Sequence, residues 1–153
     1  MASRKRDVAK QIVEEHEELN RNIGEIKLTI MEKISTKDFP DWRIQFIGRL
    51  RDLRQKLNKH FEFEERGGFM HEVTDAAPRF SNQVKELEIE HERILSDLDG
   101  VLTDFKKLNV KDDLELQDII NRLSGMMNTL HHHEMTENEL MQSAFYREHR
   151  SPD

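Results

Sequence analysis

Apolar residues return every three or four positions in four separate stretches of this 153-residue chain, each long enough to cross a small domain as an amphipathic helix. The first stripe is Val8, Ile12, Leu19, Ile23, Ile26, Ile30 and Ile34, and the second is Trp42, Phe46, Leu50, Leu53 and Leu57. Phe80, Val84, Leu87, Ile94, Leu98, Leu102 and Phe105 make the third, and Leu116, Ile119, Leu123, Met126, Leu130, Leu140 and Ala144 the fourth. A chain of this length supports one sizeable core, so a single domain over residues 1–153 is expected, with helices at roughly 5–34, 41–66, 78–108 and 112–147. Capping and helix-stopping chemistry separates the first two helices, from Ser35 and Thr36 through Asp38 to Pro40. Gly67-Gly68 ends the second helix, and the segment through Thr74, Asp75 and Pro78 is expected to connect it to the third. Short connections between long helices favour antiparallel neighbours. The expected fold class is therefore all-α, an up-down-up-down antiparallel four-helix bundle.

Six polar residues interrupt these stripes in phase: His16, His60, Glu64, His91, His133 and Glu137. Their order is duplicated. His16 recurs as His91 after 75 residues, while His60 and Glu64 recur as His133 and Glu137 after 73. In the second and fourth helices the i, i+4 spacing sets an imidazole one turn from a carboxylate on the same face. A lone histidine on an apolar face is ordinarily a hydrogen-bonded core residue, and an i, i+4 His/Glu pair is ordinarily solvated. Six such residues in register on four core stripes are different, because burying several ionisable groups without a counter-ion costs many kcal/mol. The layout is that of a two-metal site with all six as candidate ligands. The chain has no cysteine, so nitrogen and oxygen must hold any metal, which favours iron, manganese or zinc. Two carboxylates and four neutral imidazoles leave a pair of divalent ions with net positive charge, a site that attracts small anions. Ferritin-like bundles differ, offering mostly carboxylates and Glu-x-x-His.

Composition removes other classes. A net charge of -7 argues against a nucleic-acid surface, despite the basic start at Arg4-Lys5-Arg6. No apolar run is long enough for a membrane span, and a soluble, cytoplasmic protein is expected. Nothing resembles a nucleophile triad, a phosphate loop or a dinucleotide fingerprint. His71 reads as a solvent loop residue, the methionines as core filler or surface, and the Glu14-Glu15 and Glu17-Glu18 pairs as solvated faces beside the ligand stripe.

The segments His16-Glu17-Glu18-Leu19, His60-Phe61-Glu62-Phe63-Glu64-Glu65, Glu90-His91-Glu92-Arg93-Ile94 and His133-Glu134-Met135-Thr136-Glu137-Asn138 together resemble the hemerythrin-like (HHE) family over essentially the whole chain. The resemblance implies a non-haem centre of two iron ions, oxo- or hydroxo-bridged. In it Glu64 and Glu137 bridge the metals, His16 and His60 bind one iron, and His91 and His133 the other. The oxygen-carrying members have two histidines four residues apart on their third helix, and the earlier aligns with Leu87 here. The His91-side iron thus loses a ligand, for which Glu88 or water is the candidate substitute. His132, five residues before Glu137, is the alternative to His133, which is preferred on stripe phase.

Three functions share this site. The first is binding or sensing of O2, or of a related ligand such as NO, with a sensor expected to act through a separate protein partner. The second is an oxidoreductase turning over peroxide or O2. The third is iron handling, in which folding follows iron availability. Small-ligand binding or sensing ranks first, with no nucleic acid and no membrane as partner.

Overall fold

The computed structural model describes residues 2–32, 34–108 and 111–147. Residue 1, residues 148–153, Lys33, Asn109 and Val110 of the expected domain lie outside the described residues. Four long helices form an antiparallel bundle: α1 (Ala2–Met31), α2 (Phe39–Arg66), α4 (Ser81–Lys107) and α5 (Asp113–Met141). Each packs on its chain neighbour, and α1 closes the ring against α5. The all-α, up-down-up-down expectation is the architecture observed.

Local chemistry sets the ends of these helices. The Ser35 hydroxyl and the Asp38 backbone N–H lie 3.1 Å apart, and Pro40 occupies the first turn of α2, where its missing N–H costs nothing. Asp112 caps α5 by accepting from the backbone N–H groups of Leu114 and Glu115, each at 3.1 Å.

One expectation needs correction. The segment after Gly67-Gly68 is not a plain connection but an eight-residue helix, α3 (Phe69–Ala76), followed by a 3-10 turn at Pro78–Phe80. Gly68 adopts φ 113°, a left-handed conformation that L side chains rarely take, and this lets the chain fold back at once. Phe69, Met70 and Val73 supply the apolar face that makes the segment worth burying. α3 packs across one end of the bundle against α1, α2 and α4, and also against a π-helical turn at Gln142–Arg147 that ends the described chain.

The apolar interior falls into two clusters. The larger holds Leu19, Phe46, Leu50, Leu57, Ile94, Phe105, Leu123 and Leu130, with Trp42 stacked on Phe46 at 5.0 Å and an interplanar angle of 9°. The smaller gathers Val8, Ile12, Phe69, Val73, Leu87, Leu140, Ala144 and Phe145. The six polar stripe residues lie between them in sequence on every bundle helix, His16 between Ile12 and Leu19, and His91 between Leu87 and Ile94. The polar layer is thus sandwiched between two apolar ones.

Phe46 is fully buried among aromatic partners remote in sequence from the polar layer. Phe46→Ala is expected to destabilise the fold by about 3–5 kcal/mol. Chemical denaturation of metal-free wild type and variant should show this difference, and a loss below about 1 kcal/mol would mean that the cluster repacks.

Candidate metal centre

All six residues on the sequence stripes converge. His16, His60, Glu64, His91, His133 and Glu137 are each no more than 5% exposed, and Glu64, His133 and Glu137 are at 0%. They form two overlapping groups, His16, His60, Glu64 and Glu137 on one side and Glu64, His91, His133 and Glu137 on the other, with the donor atoms of each group within 4.8 Å of one another. Glu64 and Glu137 belong to both. Glu64 Oε1 lies 3.3 Å from His60 Nε2 and 3.2 Å from His91 Nε2. Glu137 divides its oxygens: Oε1 is 3.1 Å from His16 Nε2 and Oε2 is 3.3 Å from His133 Nε2.

The outer nitrogens explain why the inner ones point where they do. His60 Nδ1 sits 2.5 Å from Glu15, His91 Nδ1 2.7 Å from Glu65, and His133 Nδ1 2.6 Å from Glu90. When a neutral imidazole donates its Nδ1–H to a carboxylate, its Nε2 is left as a lone pair aimed at the centre. For His91 and His133 those two Nε2 atoms are only 3.1 Å apart. Facing lone pairs at that distance require a cation, either a proton on one ring or a metal ion held by both. Carboxylate support of this kind also fixes the ring and raises its basicity as a ligand.

The donor set passes a further test of fit. Both oxygens of Glu64, Oε2 of Glu137 and Nε2 of His60 are buried without a hydrogen-bond partner. Orphaned polar atoms at this density are costly in a folded protein unless an ion completes them. Four imidazoles and two carboxylates, with no thiolate, suit a borderline first-row cation.

Metal-binding helical bundles with a histidine and carboxylate core are the class that this fold and site define. The chain belongs to the hemerythrin HHE cation-binding domain family, whose model matches residues 7–145. Comparison with curated proteins and with solved structures gives no match. The buried histidine and glutamate groups fit a metal site of that family.

The other candidates separate cleanly. His131, His132 and His71 are exposed, and the two groups contain His133. Glu88 is half-buried and belongs to neither group, while Leu87 is buried in the smaller apolar cluster. The surprise lies one residue from the ligand positions. Glu15, read from sequence as part of a solvated face, instead holds His60. Glu65 and Glu90 do the same for His91 and His133, and Glu134 is buried beside the centre at 3% exposure. The duplication carried a signal for two of these: Glu15 and Glu90 are separated by 75 residues, as His16 and His91 are.

Electrostatics divides the four imidazoles. Burial opposes protonation of His60, but Glu64 and Glu15 outweigh it and its pKa rises; His91 rises likewise, with Glu64 and Glu65 overcoming burial. Burial prevails at His16, helped by the neighbouring His60, and at His133, so both fall. Burial also pushes the Glu134 carboxyl up, partly offset by His16 and His60.

For the metal-free protein, an NMR titration is expected to show His60 and His91 protonating above the ordinary value of 6.5 and His16 and His133 below it. A raised histidine adds stability below 6.5 that fades as pH climbs through its folded pKa; a lowered one adds stability above 6.5 that fades as pH falls through its folded pKa. Four coincident titrations would contradict the arrangement.

Proposed function

We propose that the chain is a non-haem di-iron protein that binds or senses O2, or a related small ligand such as NO. The observation that carries this reading is the sharing of Glu64 and Glu137 between two four-residue groups, each with two imidazoles. One ion is assigned to His16 and His60, the other to His91 and His133, with the two carboxylates common to both. Iron is assigned from family membership and from the nitrogen and oxygen donor set.

Iron, when bound, supplies reversible electron donation to a small ligand. The protein's own residues do the rest. Glu15, Glu65 and Glu90 hold three of the rings in register, and the two carboxylates lower the net charge that the pair of cations brings into the core. Ile12 and Leu87, each four residues before a histidine of the centre and both buried, furnish no donor atom. Each ion thus has two imidazoles and the shared carboxylates from this set, leaving room for an exogenous ligand. The apolar cluster that contains them limits water around that position.

The same open positions favour a second reading, turnover of peroxide or O2 by an oxidoreductase. Visible spectra of anaerobically loaded ferrous protein, taken before O2, after it, and after its removal, distinguish the two. Reversible change supports binding or sensing, whereas irreversible oxidation supports redox chemistry. An absence of any spectral response to O2 would remove both.

Ligand roles are tested separately. Glu64→Ala or Glu137→Ala is expected to release both ions together, while His16→Ala weakens one and retains the other. Metal-to-protein ratios after desalting measure this. Loss of a single ion in either glutamate variant would contradict the shared role.

A further inference from the structure

The carboxylate support around the centre runs helix to helix in one direction. Glu15 on α1 holds His60 on α2, Glu65 on α2 holds His91 on α4, and Glu90 on α4 holds His133 on α5. The next link, from α5 back to His16 on α1, is the exception. The internal repeat places Asn138 where a carboxylate is needed, since it follows Glu137 as Glu65 follows Glu64, 73 residues apart. Asn138 contacts His16 but offers it a neutral amide, where the other three rings have a carboxylate.

Two independent observations mark the same half. Phe61 stacks on His91 at 4.0 Å and 10°, covering that side with an aromatic face, whereas its counterpart 73 residues on is Glu134, a buried carboxyl. In addition, a surface cleft of about 260 Å³, lined by Glu15, Glu18, Leu19, Lys56 and Lys59, reaches His60.

We infer that the two metal positions are unequal: the His91/His133 position fills first and holds tightly, and the His16/His60 position is exchangeable, reached through the Glu15–Glu18–Lys59 cleft. The inference rests on the two-metal reading above. Asn138 is a positioning residue that acts through His16. Replacing a supporting partner of a metal-bound histidine changes metal affinity by roughly 10- to 100-fold, which sets the expected inequality.

The test uses zinc(II), which is redox-inert, added to the metal-free full chain while the four imidazoles are followed by nitrogen-15 NMR. At one equivalent, His91 and His133 should reach their bound positions with at least about tenfold preference over His16 and His60. In Asn138→Glu, an exposed position where folding is not at risk, the preference should shrink to about threefold or less as His16 gains support. Glu65→Asn should shrink it from the other side. Parallel shifts of all four rings in the wild type, or a preference unchanged in both variants, overturn the inference and leave the two-metal reading standing. Saturation at one zinc per chain, or no zinc shift of these rings, overturns both.

Discussion

Burying two carboxylates and four imidazoles between two apolar clusters is the constraint on which the rest of this structure depends. Apolar packing alone would never favour it, because each charged or polar atom gives up water on folding. The arrangement survives by using both ends of each donor. Three of the rings spend their outer nitrogen on a half-exposed glutamate, and the inner atoms converge where a cation completes them. Stability and metal binding are therefore linked by mass action, since an ion that binds only the folded arrangement adds to its stability.

That constraint also explains the division of the core. The cluster around Trp42, Phe46 and Phe105 is dense in aromatic rings and distant from the donors, so it can hold the bundle together whether or not metal is bound. The smaller cluster includes Ile12 and Leu87, the residues one turn from His16 and His91. The larger cluster reaches the donors as well, since its Phe61 stacks on His91 at 4.0 Å, and the smaller cluster is a second apolar flank of the centre. Helix α3 belongs to the second, which is why a segment of only eight residues is kept buried on one face.

Much of this was legible in the chain itself. Helical periodicity gave four helices, and the phase of that periodicity distinguished the buried His133 from the exposed His132. The duplicated spacing brought six dispersed residues to one place. What periodicity could not reveal was the use of residues just off the stripe. Glu15, Glu65 and Glu90 sit beside ligand positions, where surface glutamates abound, and only three-dimensional packing tells a supporting carboxylate from a solvated one. Helix α3 was hidden for another reason: a run interrupted by Gly67-Gly68 and Pro78 reads as a turn, and its helix is stabilised by burial of Phe69 and Val73 more than by local propensity.

The smaller cluster is assembled from both extremities of the described chain: Val8 and Ala9 come from the opening turns of α1, and Ala144 and Phe145 from the closing π-helical turn, with α3 laid across them. The cover of the polar layer thus draws on the first turns of α1 and on the Gln142–Arg147 turn, while the aromatic cluster at the opposite end forms where α2 begins, at Phe39 and Trp42, and where α4 ends, at Phe105. Fraying of the first turns of α1 or of the Gln142–Arg147 turn would therefore thin the apolar cover over the donors while leaving the Trp42, Phe46 and Phe105 contacts in place.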